Sequence, residues 1–263
     1  MKWLKRLARP FLEFIMSRVP QPILRKTEDV SQYFQGKGWG AATVDVELKA
    51  ISYFVLKKNL TDLTVIDAGA NVGNWTDSAL RQLSGSRIFC FEPSKVAFEE
   101  LSARFNDNKN VFSVNLGLSD QNKKVTLFSD FSGSGLSSVY SRRIEHFGIK
   151  LDSKEEIQVT TLDGWIKDQS ARIQPSVLKL DVEGHELAVL RGAINTIKSL
   201  EIIQFEFGGG NIDSKTYFQD FWYFFMSHNF DIYRIIPTGT VKIAEYSEML
   251  EVFRTTNYLA VRQ

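Results

Sequence analysis

Residues 65–75 read Val-Ile-Asp-Ala-Gly-Ala-Asn-Val-Gly-Asn-Trp, a short apolar run that leads through a glycine-rich turn into a predicted helix. Gly69 and Gly73 let a ligand approach the backbone, because they carry no side chain and accept positive φ angles. The free amides at the start of the next helix suit an anionic group. In an open α/β sheet, ligands bind outside the carboxyl ends of the strands. This turn therefore predicts a ligand site.

Short apolar strands alternate with helical patterns on both sides of the turn. Strands are predicted at 65–66, 88–91, 111–116, 177–180 and 202–205, with helices between them. This pattern is typical of a mostly parallel sheet with helices on both faces. About sixty residues separate the third strand from the fourth, which predicts an insertion that forms a lid or substrate loop. Two antiparallel strands at 232–236 and 258–261 are expected to close the sheet.

The composition bounds the class of protein. The 263 residues are 43% hydrophobic and 24% charged, as in an ordinary globular protein with one large domain. The net charge of +1 gives no support for nucleic-acid binding, which usually needs a strongly basic surface. The single cysteine, Cys90, cannot form an internal disulfide, so a cytoplasmic location is expected. We expect an N-terminal helical extension at 1–43 and one domain at 44–263.

The first sixteen residues carry a basic amphipathic pattern. Lys5, Arg6 and Arg9 lie off a face that, at helical spacing, is formed by Leu4, Leu7, Phe11, Phe14 and Ile15. The segment is too short to span a bilayer. Such a helix either lies on an anionic membrane surface or packs on its own domain or on a second subunit, and packing is favoured. Peripheral membrane contact and a homodimer both stay open.

Two carboxylates indicate which cofactor the turn binds. Glu92, at the end of the second predicted strand, is placed to accept the hydroxyls of a ribose. A dinucleotide fingerprint needs a G-x-G-x-x-G pattern, but Asn71 replaces its middle glycine. Asp67 disfavours a diphosphate and suits the ammonium of a methionine group. These substitutions favour S-adenosylmethionine over NAD. An NAD-dependent nucleotide-sugar oxidoreductase and a non-catalytic adenosyl-binding protein stay as alternatives.

With these residues in place, the chain resembles the FkbM-type methyltransferases over residues 64–262. The resemblance is carried by segments in the expected order, namely 66–73 (IDAGANVG), 91–94 (FEPS), 118–120 (LSD), 161–163 (TLD), 178–186 (LKLDVEGHE) and 205–207 (FEF). It implies a Rossmann-like class I fold with a seven-stranded, mostly parallel sheet and an antiparallel C-terminal strand. It also implies S-adenosylmethionine as methyl donor and O-methylation of sugars, polyketides or other metabolites. The implied acceptor is thus a small molecule or a glycan.

The resemblance also implies which residues bind the cofactor. Those around the methionine part are Asp67, Gly69, Ala70, Asn71 and Gly73. Glu92 is expected at the ribose, and Asn115 and Gly117 near the adenine.

Methyl transfer to an alcohol needs a base or a metal, because the hydroxyl proton must leave. Asp181, Glu183 and His185 follow the fourth strand and are the candidate catalytic residues. His185 is a candidate base, or else it reaches solvent or a backbone carbonyl. Glu186 is expected to be a solvated acid at a helix start. Asp181 and Glu206 end adjacent strands and are candidate Mg²⁺ ligands; the alternative, which is favoured, is that Glu206 holds the backbone amides at 208–210.

Overall fold

The computed structural model describes residues 18–38, 44–170 and 172–263. The predicted amphipathic helix within residues 1–17 lies outside the described residues. Among the described helices, none is long and apolar enough to cross a membrane.

The helices and strands follow one another much as the sequence predicts. The strands are β1 (Thr64–Ala68), β2 (Arg87–Phe91), β3 (Val111–Val114), β4 (Gly117–Leu118), β5 (Lys123–Ser129), β6 (Ser153–Thr160), β7 (Val177–Leu180), β8 (Ile202–Phe207), β9 (Phe230–Ile236), β10 (Gly239–Ile243) and β11 (Thr256–Arg262). The α-helices are α1 (Gln21–Phe34), α2 (Val44–Lys57), α3 (Asn74–Gln82), α4 (Lys95–Arg104), α5 (Leu162–Lys167), α6 (Glu186–Arg191), α7 (Gly210–Ser214) and α8 (Phe218–Ser227).

The main sheet has eight strands in the order β10-β9-β11-β8-β7-β1-β2-β3. Its central pairs, from β8 through β7, β1 and β2 to β3, are all parallel. Strand β11 runs antiparallel to both β8 and β9. The predicted Rossmann-like α/β fold, with its antiparallel C-terminal strand, is therefore confirmed. The eighth strand, β10, extends the expected seven-stranded sheet at the β9 edge.

Strand β1 lies at the point where the strand order reverses. The chain passes from β1 outward to β2 and β3, and later returns to place β7 on the other side of β1. The loops that follow β1, β2 and β7 consequently meet at one edge of the sheet and leave a crevice there.

The sheet is buried on both faces, which explains its continuous apolar strands. Strand β7 is buried at every position, and β1 likewise. On one face, α8 supplies an aromatic core in which the ring of Phe221 stacks 5.1 Å from Phe205. The aromatic run 217–225 thus packs mainly in the core. Each fully buried side chain of this size stabilises the fold by about 1.5–3 kcal/mol.

The helix predicted between the strands at 177–180 and 202–205 is short in the structure. Helix α6 ends at Arg191, and a separate 3-10 turn covers Thr196–Lys198. Gly192 marks the break, because a Cβ built on it would lie 2.0 Å from the carbonyl oxygen of Ser119. Close packing of two backbones, which periodicity does not reveal, ends this helix.

The long insertion forms a sheet of its own. Strands β4, β6 and β5 pair in that order, with Leu127, Ile157 and Val159 forming a small buried cluster. The insertion is therefore more than a loop: its strands stand beside the crevice, and the segment between β5 and β6 lies over it.

Candidate active site

The turn after β1 is fastened to both neighbouring strands. The amides of Gly69 and Ala70 both donate to the carbonyl oxygen of Phe91, at 3.0 Å each. Gly69 has a φ of +75°, and a Cβ there would lie 1.8 Å from the carbonyl oxygen of Asp181. Only glycine fits this position, since the turn presses directly on the end of β7. Gly73, with a φ of +83°, precedes the first residue of α3.

Asp67 lies beneath the turn and is 0% exposed. Its Oδ2 accepts a 2.6 Å hydrogen bond from the hydroxyl of Thr76, and its Oδ1 lies 3.0 Å from Nζ of Lys179. Lys179 also donates to the carbonyl oxygen of Gly69 at 2.9 Å. The carboxylate therefore braces the turn from below. Its direct contact with a methionine ammonium stays a prediction.

Lys179 is a residue whose role the sequence interpretation missed. It stands opposite Asp67 in the parallel pair of β1 and β7 and is 3% exposed. Burial alone would lower the pKa of its ammonium, but the Asp67 and Asp181 carboxylates outweigh burial and raise that pKa. A lysine inside a continuously buried strand needs a carboxylate partner. That rule, applied to the run 177–180, was the available signal.

Glu92 is the best-organised carboxylate of the crevice. Its Oε2 accepts the amide of Asn71 at 2.8 Å, and its Oε1 accepts the amide of Ser94 at 2.9 Å. Burial raises the pKa of this carboxyl to about 7 against the effect of both hydrogen bonds. Each oxygen keeps a lone pair for a further donor. Asn115 holds the segment in place by donating to the carbonyl oxygens of Glu92 and Pro93, at 2.9 and 3.2 Å.

Glu92 opens on a cavity of about 180 Å³ that we call the apolar chamber. Its apolar lining residues are Phe91, Pro93, Leu118, Leu127, Val139, Ile157, Val159 and Val182. Gly117 lies in the same wall. The insertion thus lines the chamber that contains Glu92 and Gly117, whereas the sequence assigned it to an acceptor lid; Asn115 lines neither cavity.

A second cavity, of about 420 Å³, adjoins the first, and we call it the polar chamber. Its charged lining residues are Glu47, Arg142, Lys179, Asp181, Glu183 and Glu206, and its apolar ones include Trp75, Leu136, Ile144, Phe147 and Ile149. The wall shared by the two chambers consists of Gly69, Asn71, Gly135, Asp181 and Glu183. Arg142 and Glu47 come from outside the recognised segments, so motif spacing gave no sign of them.

Asp181 and Glu206 converge on the polar chamber, as their places on adjacent strands indicate. The side chain of Asp181 is 47% exposed, and its nearest ion-pair contact is 3.7 Å, to Lys179. Burial, followed by the charges of Asp181 and Glu183, raises the pKa of Glu206 well above its ordinary value. The amide at 208 is held by Asn211 Oδ1 at 2.8 Å, not by Glu206. The described residues include no cluster of three or more metal-ligating side chains, and the Mg²⁺ site stays a prediction.

Glu183 forms part of the shared wall and is ion-paired with Arg142. Burial and the Asp181 charge raise the pKa of Glu183 to about 7, although Arg142 opposes that shift. Arg142 lies in the insertion and also contacts Asp213 at 3.7 Å. This pairing ties the segment above the crevice to the loop after β7.

His185 faces the apolar chamber. Its Nε2 lies 2.9 Å from the hydroxyl of Ser119, and its Nδ1 lies 3.0 Å from the hydroxyl of Tyr140. Burial lowers the pKa of the imidazole to about 4, so the ring is neutral at pH 7. Both ring nitrogens are engaged on the side of the predicted adenine, and the role of His185 as a base stays a prediction.

Glu186 is placed differently from its expected position on a solvated surface. It is 1% exposed, and its Oε1 accepts the amides of Val182 and Gly184 at 3.1 Å each. The expectation was wrong because the loop 182–184 folds back over the start of α6 and needs an acceptor there. Burial raises the pKa of Glu186 to about 7.

Comparisons with known proteins agree with this geometry. The family model described as the methyltransferase FkbM domain matches residues 67–232. A curated relative, the hexuronic acid methyltransferase AglP of Haloferax volcanii, is 26% identical over 163 residues. That match covers 61% of this chain and 62% of the relative, so the chain spans about three fifths of the relative's length. The family and the relative are both methyltransferases, and the alternative of an NAD-dependent oxidoreductase is therefore without support.

Solved structures with a similar fold are more distant. The precorrin-6y C5,15-methyltransferase of Geobacter metallireducens is 10% identical, with a TM-score of 0.43 over 85% of this chain and 93% of that one. The plantazolicin methyltransferase BpumL, in complex with SAH, is 11% identical, with a TM-score of 0.43 over 96% and 93% of the two chains. Likeness at this distance carries no argument about the reaction.

Proposed function

The chain belongs to the FkbM methyltransferase family, and from that premise we propose that it transfers a methyl group from S-adenosylmethionine to a hydroxyl of a sugar-type acceptor. The relative in Haloferax volcanii is named for a sugar acid, which supports an acceptor of the carbohydrate class. Methyl transfer itself is shared with the whole family. The donor, the hydroxyl and the sugar are the parts that we propose.

The observation that carries the proposal is the arrangement of Glu92 in the apolar chamber. Its two oxygens are already fixed by backbone amides, and each retains a lone pair for a hydroxyl. A ribose carries two adjacent hydroxyls that match a carboxylate. The apolar walls beyond Glu92 suit a flat base, which buries most of its surface when it binds.

The turn at 69–73 suits the amino-acid end of the donor. Its glycines leave no side chain between the turn and the cavities, and both chambers border Gly69 and Asn71. Asp181 lies at the same junction with a half-exposed carboxylate. When bound, S-adenosylmethionine supplies a methyl group on a cationic sulfonium. The acidic junction favours that charge.

Asp181 is the residue that we assign to the acceptor proton. It borders both chambers, and its carboxylate is accessible, whereas Glu183 is held by Arg142 and His185 is held by two hydroxyls on the far side of the wall. A general base must lie within hydrogen-bonding reach of the proton it removes. Asp181 meets this condition for any acceptor that enters the polar chamber beside the turn. Glu183, paired with Arg142, then helps to fix the shared wall, and His185 holds the hydroxyls of Ser119 and Tyr140 in place.

Mg²⁺ is proposed only as an addition to this scheme. Asp181 and Glu206 supply two neighbouring carboxylates of the kind that Mg²⁺ prefers. A metal held there would lower the pKa of an acceptor hydroxyl and leave Asp181 as a ligand.

The test is a transfer assay with S-adenosylmethionine labelled on its methyl group and a panel of glycosides and polyols. The proposal predicts label in at least one hydroxyl-bearing compound and S-adenosylhomocysteine in equal amount. Label that appears only on nitrogen acceptors, or no binding of the donor, contradicts it. A parallel arm with a chelator decides the metal, because unchanged turnover removes Mg²⁺ from the scheme.

A further inference from the structure

The polar chamber is lined by more acidic than basic side chains. Its lining acids outnumber its lining bases by four to two. Lys179 is held by Asp67 behind the chamber wall, and Arg142 is held by Glu183 and Asp213. Among the described residues that line this chamber, both basic groups are thus already paired. A ligand anion would find no unpaired cation there.

Glu206 points to what the ligand must supply. It lines the chamber at the end of β8 and, within the described residues, makes no side-chain hydrogen bond or ion pair, unlike Glu47, which accepts from the amides of Gln204 and Asn257 at 2.8 and 2.7 Å. The carboxyl group of Glu206 faces the chamber without a partner among the described residues, so it is available to a ligand. A ligand that offers hydrogen-bond donors to Glu206 and Asp181 supplies the missing partners. A ligand carboxylate in the same place supplies no donor and lies close to the half-exposed carboxylate of Asp181.

An aromatic lining residue agrees with this requirement. Phe147 lines the chamber, and its side chain is 72% exposed. The face of an aromatic ring is negative, so it attracts cations and the C–H face of a sugar ring but not an anion.

From these three observations we infer that the polar chamber selects an acceptor whose groups next to the reacting hydroxyl are hydrogen-bond donors, either hydroxyl or ammonium groups, and rejects an acceptor with an anion there. The inference rests on the proposed function, since it describes the acceptor of the same reaction. It separates neutral sugars and amino sugars from uronic acids.

The test uses the full chain saturated with S-adenosylhomocysteine and three matched probes: the methyl glycosides of glucose, glucosamine and glucuronic acid. Binding is measured by saturation-transfer NMR and calorimetry. We expect the glucosaminide and the glucoside to bind at least about tenfold more tightly than the glucuronide. In Glu206→Gln, this preference shrinks by several-fold. Glu99→Gln removes an exposed carboxylate on α4, away from both chambers, and serves as the matched control with unchanged preference.

Each outcome decides one point. If the glucuronide binds as tightly as the other two probes, the inference is wrong. Binding of S-adenosylhomocysteine without binding of any of the three sugars also overturns it, while the proposed cofactor site stands. If S-adenosylhomocysteine itself does not bind, the proposed function fails, and the inference fails with it.

Discussion

The apolar chamber and the polar chamber share one wall but hold their carboxylates differently. In the apolar chamber, each oxygen of Glu92 is fixed by a backbone amide before any ligand arrives. In the polar chamber, Glu206 has no such donor among the described residues, and Asp181 is half exposed. The preorganised carboxylate of the apolar chamber suits the cofactor, which is the same in every turnover. The unpaired carboxylates of the polar chamber suit an acceptor that supplies its own hydrogen-bond donors.

The largest expected effect is a loss of turnover on substitution of Asp181, with little change in the binding of S-adenosylmethionine. Asp181→Asn keeps the size of the side chain but removes the proposed base. We expect turnover to fall by about 10²–10⁴-fold, which is the usual contribution of a general base. The affinity for S-adenosylmethionine is expected to change by less than about tenfold, because one exposed charge contributes little to binding.

The measurement is single-turnover kinetics alongside calorimetry. Asp107→Asn, an exposed substitution in the loop after α4, is the control. An Asp181→Asn variant that loses donor affinity in proportion to its rate would place Asp181 in the cofactor site alone and would remove the distinction between the chambers.

The next effect is a loss of stability when the buried ion pair of Asp67 and Lys179, beneath the turn at 69–73, is broken. Lys179→Met leaves the fully buried Asp67 with Thr76 as its remaining side-chain partner. Breaking a buried pair by removing one partner typically costs about 3–5 kcal/mol. We expect a loss of that order in the free energy of unfolding, measured by urea denaturation.

The double variant Asp67→Asn/Lys179→Met distinguishes a charge effect from a packing effect. It removes the unpaired charge, so we expect it to regain a substantial part of the lost stability. A double variant less stable than Lys179→Met would show that the two residues do not act as a pair.

The smallest effect is the pH dependence of the loop that supports the wall. Burial raises the pKa of Glu186 to about 7 in the folded chain, above the ordinary value of about 4.3. The folded state therefore holds the proton more tightly than the unfolded state. This stabilisation is complete below the ordinary pKa and is lost as the pH rises through about 7. Glu92 and Glu183, with pKa values also raised to about 7, act in the same direction.

Glu186→Gln keeps an oxygen for the amides of Val182 and Gly184 but removes the titration. Thermal unfolding across pH 5–8 is expected to show a stability that falls with pH in the natural chain and a shallower fall in the variant. Glu99→Gln serves again as the control with an unchanged slope. Identical slopes for the natural chain and Glu186→Gln would refute the assignment.

Much of the fold was predictable from local pattern, because buried parallel strands and glycine turns leave a mark in short windows. The strands at 177–180 and 88–91 and the turn at 69–73 follow from such windows. The pairing of the second sheet and of strand β10 could not be predicted in this way, because it is not visible in short windows of sequence. In the site, Glu92 follows from its place after a strand. Arg142 and Glu47 reach the polar chamber from outside the recognised segments, and only three-dimensional structure brings them there.

The central claim is that Glu92 binds the ribose of S-adenosylmethionine in the apolar chamber. The most direct measurement is calorimetry of S-adenosylmethionine binding to the natural chain and to Glu92→Ala, with Glu99→Ala as control. We predict binding to the natural chain and to the control, and at least about 10–100-fold weaker binding to Glu92→Ala, since the loss of even one hydrogen bond to a charged group costs about 1.5–3 kcal/mol. Equal affinity of Glu92→Ala and the natural chain, or binding of NAD in place of S-adenosylmethionine, would contradict the account.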